Sequence, residues 1–175
     1  QLFVVYLNTV GGQDELVFDG GSIICDGDGG LVARGPAFQE HLLVTDLEFG
    51  DGPAQRKQAP AHATADALAA VGAPKTLTVS GNASPDKTPL AARPIAAGVD
   101  GPEEVYRALV LGTGDYLRKS GFSGALIGLS GGVDSALTAT VAVDALGKEN
   151  VVGITMPSRY SSEGSIGDSE RLAEN

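Results

Sequence analysis

A chain of 175 residues, 42% hydrophobic and 19% charged, has the make-up of one globular domain or of pieces of two. Its single cysteine excludes an intramolecular disulfide and a cysteine-cluster metal site, and no apolar run reaches the roughly 20 residues of a membrane helix. The formal net charge is -10 and no stretch carries the clustered Lys/Arg footprint of a nucleic-acid binder, so the acidic excess reads as a solvated surface. The opening residues also lack the basic start of a secretory signal, and a soluble, cytoplasmic protein in a reducing compartment is expected.

From Leu2 to Glu48, short β-rich runs ("LFVVYLN", "LVF", "SIIC", "LVARG", "HLLVTDLE") predict strands. The glycine-acid clusters between them ("GGQDE", "DGG", "DGDGG") read as turns. Residues 52–100 hold six of the nine prolines and fourteen alanines but no aromatic, so they can bury little surface. A linker is expected over 50–102, with one Ala-rich helix near Ala61–Val71.

From Glu103 the pattern changes to helix, strand, helix, strand. "EEVYRALVLGTGDYLRKSGF" places Val105, Leu109 and Tyr116 at near-helical spacing, with acids first and Arg118 and Lys119 last, as the helix dipole favours. Gly112 and Gly114 each weaken that helix by roughly 1 kcal/mol against alanine, so tertiary packing must hold it. "ALIGLS" predicts a strand, residues from about Ser135 to Leu146 a helix stopped by Gly147, and "VVGITMP" a second apolar strand. Two buried strands joined by a helix imply a parallel α/β sheet.

The turn between the first of these strands and its helix reads "SGGVDS", Ser130 to Ser135. Where a parallel strand runs into a helix, unpaired N–H groups and the helix dipole favour an anion. Gly131 and Gly132 remove side chains that would block a phosphate, and Ser130 and Ser135 offer hydroxyls. Asp134 beside such a pocket is repulsive unless a cation intervenes, which points to Mg²⁺ bridging phosphate oxygens. The alternative is a tight turn in which Asp134 or Ser135 merely caps the helix. Neither G-x-x-x-x-G-K-[ST] nor G-x-G-x-x-G is present.

The full S-G-G-V-D-S string resembles the PP-loop of the ATP pyrophosphatase superfamily, whose members cleave ATP to AMP and pyrophosphate. That resemblance implies ATP contacts from Gly128, Leu129, Ser130, Gly131, Gly132, Val133, Asp134 and Ser135, with Mg²⁺ on Asp134. The superfamily includes GMP synthetase, asparagine synthetase and tRNA-modifying enzymes, so the loop alone leaves the substrate open. Its flanks, "YLRKSGFSGALIGLSGGVDSALTATVAVDALG" and "VVGITMPSRYSSEGS", resemble glutamine-dependent NAD synthetase, in which the second segment lies by the nucleotide; this adds Met156 and Arg159. "YLNTVGGQDELVFDGGSIICDGDGGLVARGPAFQEHLLVTDLE" resembles the closing strands of the nitrilase-type amidase domain that these enzymes carry ahead of the synthetase.

The resemblance implies an α/β fold in three parts. Residues 1–49 would end a nitrilase-like α/β sandwich, 50–102 form the linker, and 103–175 begin a parallel-sheet, adenine nucleotide alpha hydrolase-like PP-loop domain. The implied reaction joins nicotinic acid adenine dinucleotide, ATP and glutamine-derived ammonia. ATP adenylates the nicotinate carboxylate, pyrophosphate leaves, and ammonia displaces AMP to give NAD. The partners are then small molecules, with no nucleic acid or membrane, in a homo-oligomer. The alternatives are another PP-loop amidotransferase such as GMP synthetase, or a non-catalytic nucleotide-binding remnant.

Nitrilase-type amidases use a Glu, Lys and Cys triad whose nucleophile precedes a "YLNTVGG" type of segment, so Cys25 is read as an ordinary strand residue. Lys57 is the first lysine, Glu15 is read as a turn or domain-contact residue, and His41 and His62 lack metal-ligand spacing. No catalytic residue is assigned. The expectation is an internal segment of a longer enzyme, inactive by itself.

Overall fold

The computed structural model of the chain describes residues 2–48, 77, 88–90, 94–157 and 163–175. The Ala61–Val71 helix, His62, Lys57, most of the expected linker and Arg159 lie outside them. Strands β1 (Val4–Tyr6), β4 (Ile23–Cys25) and β5 (Leu31–Arg34) form an antiparallel sheet in the order β1-β4-β5. Strands β2 (Val10–Gln13) and β3 (Leu16–Asp19) form a separate hairpin. Ile24, Val32 and Ala33 make a small core, against which Phe3, Leu43 and Leu47 pack.

Two expectations fail in this region. "GGQDE" is not all turn, because Gly11, Gly12 and Gln13 belong to β2 and only Asp14 and Glu15 reverse the chain. "HLLVTDLE" is no strand: Leu43 and Leu47 cover the sheet as an irregular segment. Residues at the end of the expected linker are ordered along β5. The Arg34 N–H donates to the Pro94 carbonyl at 2.9 Å, and the Ala96 N–H donates to the Arg34 carbonyl at 3.0 Å. This covers an edge that would otherwise leave its backbone groups open. Cys25 sits half-buried at the end of β4, as a strand residue should.

Helix α1 (Gly101–Lys119) follows, with Pro102 in its first turn and Asp100 at its N-cap. Strand β6 (Ala125–Leu129), helix α2 (Val133–Leu146) and strand β7 (Val151–Thr155) form the expected unit, with β6 and β7 parallel from Ala125↔Val151 to Leu129↔Thr155. Leu129, Val141 and Ala142 are its buried residues, and the expectation of two buried strands fails: apart from Leu129 the residues of β6 and β7 are half-buried or exposed, Leu126, Val152 and Ile154 among the exposed. Helix α3 (Glu163–Glu174), for which the sequence reading made no provision, closes the described chain.

The apolar spacing in α1 does not mark its packed side: Val105, Leu109 and Tyr116 are exposed. The packed side is the glycine side. A Cβ on Gly12 would stand 2.9 Å from the Gly112 Cα, and one on Gly114 would stand 3.2 Å from the Ala145 carbonyl oxygen. The two glycines that weaken α1 as an isolated helix are positions where the hairpin and α2 lie close against it. Among the described residues no helix is long and apolar enough to cross a membrane.

Candidate functional site

The turn from β6 into α2 is shaped by its own serines. The Ser135 hydroxyl donates to the Gly132 carbonyl at 3.0 Å and accepts from the Ser130 N–H at 3.2 Å. The two serine hydroxyl oxygens lie 3.1 Å apart, and the Gly132 N–H donates to Ser130 Oγ at 3.3 Å. With the Ser135 proton on Gly132, the Ser130 proton is the one available between the two oxygens. The hydroxyls therefore close the loop on itself, and the outward donors are the N–H groups of the first turn of α2. The first backbone bond of that helix is Ala136 N–H to the Gly132 carbonyl, at 3.1 Å, so the N–H groups before it have no intrahelical acceptor.

Gly131 has φ 77°, a left-handed conformation that side chains rarely adopt, and a Cβ there would lie 2.5 Å from the Ser165 carbonyl oxygen. The loop thus lies against the backbone of α3, and glycine is required twice over. The helix N-cap is Gly132, without a side-chain capping bond. This corrects the capping alternative: Asp134 is the second residue of the helix and caps nothing. Its carboxylate is exposed in the first turn, where the dipole stabilises a negative charge.

Two cavities flank the loop. One, about 240 Å³, lies between Gly128, Ser130, Met156 and the α3 residues Ser165 and Ser169. The other, about 300 Å³, is lined by Gly131, Gly132, Ser135, Arg171 and Asn175. The structure therefore brings Gly128 to Val133, Ser135 and Met156 around these two cavities at the carboxyl end of the parallel strands, while Asp134 is exposed beside them and lines neither. Ligands bind at that end in open α/β sheets. Leu129 fills the floor, buried under the loop, while Val133 is exposed.

Helix α3 supplies lining residues that the sequence reading missed. Arg171 is the basic side chain bordering either cavity among the described residues, and it is ion-paired with Asp168 one turn earlier. The signal was present in "EGSIGDSERLAE", where Ile166, Ser169 and Leu172 recur at helical spacing and fall on the half-buried or buried side.

A divalent cation is compatible with these donors. Among the described residues no three His, Cys, Asp or Glu side chains gather into a cation cage, so Asp134 would be one protein ligand beside phosphate oxygens and water. Mg²⁺ is commonly held by that combination.

The NAD synthase family model matches residues 105–175, which contain α1 from Val105 onwards, the loop and both parallel strands. Over 179 aligned residues the chain is 41% identical to a glutamine-dependent NAD(+) synthetase of Thermotoga maritima, covering 98% of this chain and 29% of that protein. It is 45% identical over 173 residues to one of Aquifex aeolicus, covering 99% and 30%. A solved glutamine-dependent NAD+ synthetase from Acinetobacter baumannii, in complex with adenosine diphosphate, superposes with a TM-score of 0.68 at 32% identity, over 99% of this chain and 26% of that one. The chain spans less than a third of the length of each of these relatives.

Proposed function

Related along nearly its whole length to glutamine-dependent NAD(+) synthetases, the chain is, we propose, the part of such an enzyme that holds the phosphates of ATP. The whole enzyme would amidate nicotinic acid adenine dinucleotide to NAD, with nitrogen from glutamine. The observation that carries this is the Ser130–Ser135 loop, with a left-handed Gly131 and outward helix N–H groups at the end of a parallel strand. The adenosine diphosphate held by the Acinetobacter baumannii relative supports an adenine nucleotide here.

Each residue then has a stated part. The N–H groups entering α2 stabilise the negative charge that develops on pyrophosphate as it leaves, aided by the helix dipole. The serine pair keeps the loop in that shape. Asp134 would hold Mg²⁺, which neutralises phosphate charge and orients the nucleotide. Gly128 and Met156 border the other cavity, the proposed place of the adenosine end, with Arg159 beyond the described residues. Residues 1–49 are proposed as the end of the nitrilase-like amidase domain, 50–102 as the linker and 103–175 as the start of the synthetase domain. The family's cytoplasmic, homo-oligomeric setting comes with the same proposal.

Product analysis tests it. Given ATP, nicotinic acid adenine dinucleotide and glutamine, the whole protein is expected to form NAD, AMP and pyrophosphate in equal amounts. Release of ADP, or amination of xanthosine monophosphate in place of the dinucleotide, would reject it.

A further inference from the structure

The hairpin β2–β3 and helix α1 meet at one peptide. The Gly12 N–H donates to Asp115 Oδ2 at 2.7 Å, and the Gly12 carbonyl accepts from Lys119 Nζ, across 103 and 107 positions of sequence. Residues four apart share a helix face, so this carboxylate and this ammonium present an acceptor and a donor to the two backbone groups of a single strand residue. Gly12 is buried, and its backbone rests on that of Gly112. The Asp115 carboxyl is held below its ordinary range, first by the Gly12 N–H and then by Arg118, and so is fully charged at neutral pH.

The contacts continue to α2, at the end of that helix opposite the loop. Arg118 Nη2 holds Asp115 Oδ1 at 2.7 Å, and its Nη1 donates to the Ala145 carbonyl, in the last turn of α2, at 3.3 Å. One face away, the Tyr106 hydroxyl donates to Asp144 Oδ2 at 2.5 Å. Helix α1 is therefore fastened to the hairpin on one side and to α2 on the other, and the first turn of α2 is the candidate phosphate site. Coupling between distant sites requires a continuous physical connection of this kind, and it must be demonstrated as a coupling.

We propose that Asp115 and Lys119 are positioning residues that clamp the Gly12 peptide, fixing the N-terminal hairpin relative to the phosphate loop so that nitrogen released from glutamine reaches the activated dinucleotide. The clamp takes part in neither glutamine hydrolysis nor adenylation. It rests on the amidase-and-synthetase function proposed above.

The test compares nitrogen sources in the whole enzyme. Lys119 is exposed at the end of α1, so Lys119→Met should fold while losing the bond to Gly12. NAD formation from glutamine is expected to fall about tenfold, with formation from ammonium salts within about twofold of wild type. Lys119→Arg, which keeps a donor, should restore the glutamine reaction. A parallel fall with both nitrogen sources, or no fall with either, would overturn the clamp. Should Lys119→Met fail to fold, Asp115→Asn serves for the same comparison, since it keeps an acceptor for the Gly12 N–H and drops the charge facing Lys119 and Arg118. Wild-type enzyme that forms no NAD from either source would refute the proposed function itself. Wild type active with both sources, beside a Lys119→Met variant slowed equally with both, would refute the clamp alone.

Discussion

Asp134 separates charge from architecture within the loop. It is exposed, it caps nothing, and its position in the first turn of α2 makes its charge mildly favourable to the helix. Asp134→Asn should therefore leave the thermal midpoint nearly unchanged. If the carboxylate holds Mg²⁺ against phosphate oxygens, the same change should slow ammonia-dependent NAD synthesis by about a hundredfold or more. Near-normal synthesis would remove the metal role. At this scale the sequence was informative about glycine: a glycine-rich turn before an apolar helix implies close backbone approach, and Gly131 has it. It was less informative about the hydroxyls. Ser130 and Ser135 read as donors to a ligand, whereas their protons are taken up within the loop. Residue types and spacing do not specify which way a hydroxyl turns.

Among the elements, β6, α2 and β7 were legible because apolar strands and a helix stopped by glycine have strong local signals. Strand β2 was not, because two of its four residues are glycines with low strand propensity. They are there because the hairpin lies directly on α1, and that contact is between residues about a hundred positions apart. The same long-range contact explains why α1 tolerates Gly112. Helix α3 went unread because a polar, serine-rich segment seldom predicts a helix, and here packing against β7 and the loop supplies what propensity does not. The hairpin–helix contact predicts the effect of one added methyl. A Cβ on Gly12 would meet backbone at 2.9 Å, which no side-chain rotation relieves, so Gly12→Ala should destabilise the protein by about 1–3 kcal/mol. Thermal or denaturant unfolding measures this, and an unchanged midpoint would mean that the hairpin is not seated on α1.

For the whole molecule, the parallel α/β unit and the kinship with NAD synthetases were legible from one string and its flanks, because a tight glycine turn between a parallel strand and a helix places strict demands on a few adjacent residues. The closeness of the hairpin, α1 and the last turn of α2 was not, since the hairpin and α1 meet through residues about a hundred positions apart. The central claim is that ATP is split at its α-phosphate and that AMP is transferred to the nicotinate carboxylate. Heavy-oxygen labelling of that carboxylate tests it most directly, with mass analysis of the products formed by the whole enzyme. The account predicts that the label appears in AMP, because the carboxylate oxygen bonded to the α-phosphate departs with it when ammonia forms the amide. Label in inorganic phosphate, beside ADP, would show attack at the terminal phosphate and contradict it.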